Sequence, residues 1–176
     1  YDVSASSSTV AIGSNARGSA TNAVTIGTGN INSGNNSVAV GDNISYVSTD
    51  SVSIGKESST GGTKSIALGH STSAAANAVG IGYKVTASHS TVAIGSNVRG
   101  SATNAVTIGI GSSNAGNDSV SLGYNIINSG SNSVTIGKNT ASSLNSVVIG
   151  KDGISSAYSI SIGSNSGSHL GKSNVS

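Results

Sequence analysis

The residues that could do chemistry in this 176-residue chain are few and scattered. Its three histidines and six acids are His70, His89, His169, Asp2, Asp42, Asp50, Glu57, Asp118 and Asp152, and it has no cysteine. Thiol catalysis and cysteine metal sites are thereby excluded, and no histidine has an acidic cluster beside it in the sequence. Glycoside hydrolysis needs two paired carboxylates, and nothing pairs these acids as an enzymatic β-helix would. The sequence therefore predicts no catalytic residue, no metal site and no cofactor.

Two further kinds of binding are disfavoured by spacing and charge. The run Gly171-Lys172-Ser173 resembles the end of a phosphate-binding loop, but Ser166 stands where the first glycine should be. The eight lysines and arginines are dispersed and give a net charge of only +2. Without a basic run, neither a nucleic acid nor a membrane surface is an expected partner.

Twelve copies of a six-residue repeat are the elements that would position any site. The clearest copy is Asn132-Ser133-Val134-Thr135-Ile136-Gly137. The closing glycines are spaced by 13 or 14 residues and fall at Gly13, Gly27, Gly41, Gly55, Gly69, Gly82, Gly95, Gly109, Gly123, Gly137, Gly150 and Gly163. A short period held along the whole chain is the signature of a solenoid.

Each repeat predicts one short strand followed by a turn. In Val134-Thr135-Ile136 the side chains alternate with the period of two that belongs to a strand, and glycine then supplies the freedom for a sharp turn. Thirteen or fourteen residues allow two strands and two turns in each coil. We therefore expect an all-β, parallel roll of about 12 coils with two strands per coil.

The alternation also defines two faces of the repeat strand. Valine, isoleucine and leucine occupy one face, and we expect them to form the core of each coil. The other face keeps small residues, among them Ala39, Ser53, Ala67, Gly80 and Ala93. Because a thin roll buries little apolar surface by itself, oligomerisation is expected. We expect the small face to meet the axis of a homotrimer, where only small side chains fit.

The residue after each glycine is the best candidate for ligand binding. Stacked coils would align these residues along one edge, and the candidates there are Lys56, His70, Tyr83, Ile110, Tyr124 and Lys138. Tyrosine with lysine or histidine at an exposed edge suits contact with a protein. The alternative is that they are solvated turn residues that only close each coil. Apolar linker residues, which either extend this binding surface or complete the core, are Ile44, Tyr46, Val47, Ile126, Ile127, Leu144 and Ile154.

The hexad, its spacing and the polar linkers resemble the head repeats of trimeric autotransporter adhesins, with the YadA-like heads as the type case. Copies that carry the resemblance include Asn36-Ser37-Val38-Ala39-Val40-Gly41 and Ser90-Thr91-Val92-Ala93-Ile94-Gly95, and it spans residues 8–163. It implies a left-handed parallel β-roll in a homotrimer, at the surface of a Gram-negative bacterium. It also implies adhesion to host matrix proteins such as collagen, fibronectin or laminin, or to an epithelial receptor. Residues 1–176 then form a single head fragment, attached to the outer membrane through an anchor outside this fragment.

The chain also contains a duplication that is longer than the hexad repeat. Ser8–Gly29 and Ser90–Gly111 differ at two of 22 positions, so a six-coil cassette is present twice, as residues 8–89 and 90–163. Two functions fit such a chain. The first is an adhesin head that binds a host protein through its outer face, and the second is a spacer that projects another adhesive module. An ice-binding solenoid is a weaker rival, because the threonines that it would need in a flat array are interrupted by other residues.

Overall fold

The chain is an all-β parallel solenoid of about 11 turns. This computed structural model describes residues 2–6 and 8–168, and none of these residues lies in an α-helix. The described part accordingly offers no helix that could cross a membrane. Five-residue strands alternate with two-residue strands, one five-residue strand for each copy of the hexad. The chain divides into two compact units, residues 1–89 and 90–176.

The described residues of the first unit form six five-residue strands and six short ones. The long strands are β2 (Val10–Ser14), β4 (Val24–Thr28), β6 (Val38–Asp42), β7 (Val52–Lys56), β9 (Ile66–His70) and β11 (Val79–Tyr83). They pair in parallel in this order. The short strands are β1 (Ser4–Ala5), β3 (Arg17–Gly18), β5 (Ile31–Asn32), β8 (Ser59–Thr60), β10 (Ser73–Ala74) and β12 (Thr86–Ala87). Between β6 and β7 there is no short strand, only an isolated bridge from Val47 to Thr60.

The second unit repeats this arrangement. Its long strands are β13 (Val92–Ser96), β15 (Val106–Ile110), β17 (Val120–Tyr124), β19 (Val134–Lys138), β21 (Val147–Lys151) and β23 (Ile160–Ser164). Its short strands are β14 (Arg99–Gly100), β16 (Ser113–Asn114), β18 (Ile127–Asn128), β20 (Ala141–Ser142), β22 (Ile154–Ser155) and β24 (Gly167–Ser168). Neighbouring long strands pair in exact repeat register, as when Val106, Ile108 and Ile110 face Val120, Leu122 and Tyr124.

The repeat glycine is required by close stacking of successive coils. At Gly41 φ is 152°, and a Cβ there would lie 1.8 Å from the carbonyl oxygen of Gly55. At Gly123 φ is 142°, and a Cβ would lie 1.9 Å from the carbonyl oxygen of Gly137. Any larger residue would therefore collide with the backbone of the next coil and would also have to adopt a backbone conformation that L-residues avoid.

The two faces of the long strands are reversed relative to the sequence prediction. The small residues predicted for the trimer axis, Ala39, Ser53, Ala67, Gly80 and Ala93, are buried inside their own coils. The prediction that they meet a symmetry axis is wrong, because fully buried side chains have no surface to offer another chain. The valines and isoleucines expected in the core lie instead on the outer side of the sheet, half-buried or exposed.

The narrowness of the coil explains this reversal. A Cβ built on Gly80 would lie 3.0 Å from the Thr72 Cγ2 atom and 3.7 Å from the Ala87 Cβ atom, both on the far side of the coil. The interior at this point leaves no room for isoleucine. Among the described residues, the larger apolar side chains that fill the interior come from the linkers, except for Val148 on β21, and the linker residues are Ile44, Val47, Val85, Val98 and Ile126. The linker residues Ile44, Val47 and Ile126 therefore belong to the core and not to a binding surface.

Candidate ligand-binding ladder

The residues that follow the repeat glycines end the long strands, and strand register aligns them from coil to coil. We call them the post-glycine ladder. In the first unit it comprises Ser14, Thr28, Asp42, Lys56, His70 and Tyr83, and in the second unit Ser96, Ile110, Tyr124, Lys138, Lys151 and Ser164. All six residues that the sequence nominated for ligand binding are exposed in this ladder. The structure thus brings Lys56, His70 and Tyr83 together, and separately Ile110, Tyr124 and Lys138.

A left-handed residue behind each ladder position turns the chain into the next segment. These residues include Asn43, Glu57, Lys84, Asn125 and Asp152, with φ between 51° and 54°. Asparagine and aspartate tolerate this conformation better than other L-residues, which explains their frequency at the turn. Their side chains lie beside the ladder and contribute to its chemistry. They were not among the residues predicted to bind a ligand, although their fixed spacing two residues after each glycine indicates their place at the turn.

The first-unit ladder carries a compact group of opposite charges. The Glu57 carboxylate lies 4.0 Å from the Lys56 Nζ atom and 3.5 Å from the His70 Nε2 atom, and it accepts a hydrogen bond of 3.2 Å from Ser71 Oγ. The rings of His70 and Tyr83 stack at a tilt with centroids 5.4 Å apart. Asp42 also faces Lys56 in strand register, so this part of the ladder presents a mixed surface of acidic and basic groups.

Lys84 extends the same cluster by one further contact. Its Nζ atom lies 5.2 Å from the centre of the Tyr83 ring, within the range of a cation–π interaction. Tyr83 is thereby held between the imidazole of His70 and the ammonium of Lys84.

The second-unit ladder has an apolar end and a basic end. Ile110 and Tyr124 are half-exposed, at 53% and 50%. The Lys138 Nζ atom lies 5.6 Å from the centre of the Tyr124 ring, and Lys151 follows Lys138 in register on the next strand. The Lys151 Nζ atom lies 3.5 Å from the Asp152 carboxylate. The order along this edge is therefore apolar, aromatic, basic and basic.

A row of side-chain amides runs beside this ladder. Asn125 Nδ2 donates to Asn139 Oδ1 at 3.1 Å, and Asn139 Nδ2 donates to Asp152 Oδ1 at 2.8 Å. The hydrogen bond from Asn139 is the main cause that lowers the pKa of Asp152 below its ordinary value, and the nearby charges of Lys151 and Lys138 add to this effect. Asp152 is consequently ionised over the whole neutral range.

The outer side of the long strands is a second exposed surface, which we call the outward valine–isoleucine face. Its most exposed members are Val10, Ile12, Ile54, Ile66, Leu122, Ile149, Ile160 and Ile162. In each unit the long strands pair in register, so these side chains form continuous apolar rows across the sheet. Large contiguous apolar surfaces are uncommon on monomeric soluble proteins and indicate an interaction site.

The other apolar linker residues lie apart from this face. Tyr46, Ile127, Leu144 and Ile154 are exposed, and Ile127 and Ile154 point outward from short strands at 60% and 57% exposure. Ala141 pairs with both isoleucines and separates them. This smaller apolar patch is thus carried by the two-residue strands of the second unit.

The described residues contain no group of three or more histidine, cysteine or acidic side chains that could hold a metal ion. Of the three histidines, His70 lies in the first-unit ladder and His89 is exposed in the turn before β13, whereas His169 lies outside the described residues. Gly171-Lys172-Ser173 also falls outside them.

Comparison with known proteins does not identify a family for this chain. No family model matches the chain, and no curated protein matches it.

Proposed function

We propose that this chain is the head of a trimeric autotransporter adhesin, which binds host matrix proteins or cell-surface receptors at the surface of a Gram-negative bacterium. The observation that carries the proposal is the outward valine–isoleucine face on a repetitive parallel β-solenoid. The interior of each coil is filled without these side chains, so their apolar surface needs a partner. The hexad that generates this face is also the feature that resembles the head repeats of these adhesins.

The partner that best suits this face is two further copies of the same chain. The apolar rows have the repeat of the coils, and a second copy presents rows with the same repeat. In the proposed assembly, three left-handed rolls with two strands per coil turn their outward valine–isoleucine faces toward a common axis. The small residues remain inside each coil. This arrangement keeps the expected homotrimer and replaces its predicted interface.

A matched pair of lysine substitutions tests the trimer. Leu122 lies on the outward valine–isoleucine face, whereas Ile127 lies on the outer side of a short strand a few residues later. Leu122→Lys places three buried charges at the proposed axis and is expected to dissociate the assembly. Ile127→Lys, at a site that is more exposed, is expected to leave it trimeric.

Sedimentation equilibrium on the unmodified chain and both variants measures this difference, and circular dichroism verifies that each variant stays folded. A monomeric unmodified chain contradicts the trimer. So does equal dissociation of the two variants, because the contact would then not be specific to the outward valine–isoleucine face.

Adhesion through the post-glycine ladder is the functional part of the proposal. Binding of the purified chain to surfaces coated with collagens, fibronectin, laminin or epithelial receptors is expected, and Tyr83→Ala or Tyr124→Ala should weaken it without unfolding the chain. A folded trimer that binds none of these surfaces favours the alternative function of a spacer. The observation that supports a spacer is the near-identity of Ser8–Gly29 and Ser90–Gly111, which adds length without adding a new surface.

A further inference from the structure

The two ladders differ in their balance of charges: the first-unit ladder and its turn residues have two acids, Asp42 and Glu57, beside Lys56 and Lys84, whereas those of the second unit have one, Asp152, beside Lys138 and Lys151. In the first unit Glu57 lies within 4.0 Å of Lys56 and 3.5 Å of His70. In the described part of the second unit, Lys138 forms no salt bridge, and its ammonium is held over the Tyr124 ring. Lys151 is paired with Asp152. The second-unit ladder therefore keeps an excess of positive charge.

Strand register places this excess of positive charge along the ladder. Lys138 and Lys151 are direct partners on neighbouring parallel strands, and like charges that face each other in a sheet repel. Asp118, the other acidic residue between positions 90 and 168, precedes β17 and lies at the opposite end of that strand from Tyr124. A ligand that brings negative charge to Lys138 and Lys151 relieves their repulsion.

We propose that the second-unit ladder binds an acidic glycan chain that runs across the strands from Tyr124 toward Lys151. This inference rests on the proposed adhesive function and names the ligand class for one of its surfaces. Adjacent ladder residues are separated by the strand spacing, about 4.8 Å, which is close to the length of one pyranose unit in an extended polysaccharide. Successive sugars would thus meet Tyr124, Lys138 and Lys151 in turn.

The chemistry of each position suits such a chain. The half-exposed Tyr124 ring offers an apolar surface on which the C–H face of a sugar can pack, with Ile110 beside it. Lys138 and Lys151 offer point charges for sulfate or carboxylate groups. The amides of Asn125 and Asn139 each donate one N–H to the next residue of their row and keep a second N–H for a hydroxyl group.

An acidic peptide fits this edge less well. An extended peptide advances about 3.3 Å per residue, so its side chains fall out of step with a ladder of about 4.8 Å. The backbone groups of the inner long strands are paired with neighbouring strands, which leaves none to receive an added strand there. Recognition by side chains at the strand spacing therefore favours a glycan.

Binding of the full chain to defined oligosaccharides tests the proposal by isothermal titration calorimetry. The probes are a heparin decasaccharide, a hyaluronan decasaccharide, a neutral dextran of similar length and poly-glutamate. Heparin carries sulfate and carboxylate groups and hyaluronan only carboxylates, so these two identify the group that is recognised. We expect at least one of them to bind, with an affinity that falls as salt is raised, and neither dextran nor poly-glutamate to match it.

Matched double variants locate the site. Lys138→Gln with Lys151→Gln is expected to weaken glycan binding by about tenfold or more, whereas Lys56→Gln with Lys84→Gln in the first unit is expected to change it less than about twofold. Equal losses in both pairs, tighter binding of poly-glutamate, or no binding of either acidic glycan would overturn the proposal. If the glycans fail while matrix-coated surfaces still bind the chain, only this inference fails. If the folded chain binds neither, the adhesive function fails with it.

Discussion

Residue by residue, the first-unit ladder of Ser14, Thr28, Asp42, Lys56, His70 and Tyr83 corresponds to Ser96, Ile110, Tyr124, Lys138, Lys151 and Ser164 in the second unit. Only the serine of the first coil and the lysine of the fourth are common to both. By contrast, the repeat glycine is present in all twelve copies of the hexad. Duplication has thus kept the glycines that stack one coil on the next, and has changed four of the six ladder positions. A solenoid of this kind can alter its surface without altering its fold.

The interiors of the two units differ at several positions, including four of the six central residues of the long strands, and one of these differences is compensated. At the position of Ala67 in β9 the second unit has Val148 in β21, and both side chains are completely buried. Five residues later the first unit has the buried Thr72, whereas the second has Gly153. A Cβ on Gly153 would lie 3.1 Å from the Val148 Cγ1 atom. The larger valine is therefore accommodated because the facing residue has lost its side chain.

The largest expected effect tests the claim that both units stack by the same rule. Gly41→Ala and Gly123→Ala are equivalent substitutions, and each is expected to destabilise its unit by about 3 kcal/mol or more, through collision with the next coil and a disfavoured φ. Gly61→Ala is the control, since a Cβ there meets nothing within 4 Å. Thermal unfolding measures all three. A mild effect at one glycine and a severe effect at the other would show that the units do not share the rule.

An intermediate effect tests the compensated pair. Ala67→Val alone adds volume to a full interior and is expected to cost about 1–3 kcal/mol of unfolding free energy. Adding Thr72→Gly recreates the arrangement of the second unit and is expected to recover part of this loss. Denaturant unfolding of both single variants and the double variant gives their coupling energy. Strict additivity would show that these two positions do not share the space inside the coil.

Much of this architecture could be predicted from the sequence, because spacing and alternation are local properties. The spacing of 13 or 14 residues predicts that Tyr124 follows Ile110 along one edge, and the alternation separates Ala67 from Ile66 and Leu68. Alternation alone, however, does not say which face points inward. Apolar character predicted that isoleucine points inward. The face that points inward is decided instead by the width of the coil at Thr72 and Gly80, and this width depends on tertiary structure.

The side-chain contacts within the ladder could not be predicted from the sequence either. Its order could be read from the chain, but the position of Lys138 over Tyr124 and the pairing of Glu57 with His70 depend on side-chain rotamers. The amide row of Asn125, Asn139 and Asp152 needs the exact register of successive turns. The difference in charge between the two ladders follows from the sequence, but these contacts decide which of the charges are paired.

The smallest expected effect concerns the pKa of Asp152. This residue distinguishes the two ladders, because the first unit has Ser71 at the equivalent position. The pKa of Asp152 is lowered in the folded chain, so its contribution to stability is present above the ordinary pKa of an aspartate, about 3.9, and is lost as pH falls through the lowered value. Asn139→Ala removes the main cause and is expected to raise this pKa toward its ordinary value, whereas Asn125→Ala, one position farther along the row, is expected to leave it nearly unchanged. Carboxyl chemical shifts followed by nuclear magnetic resonance between about pH 2 and 6 measure the pKa in each variant. An equal response to the two substitutions would mean that Lys151 and Lys138, rather than the amide row, hold Asp152 in its charged form.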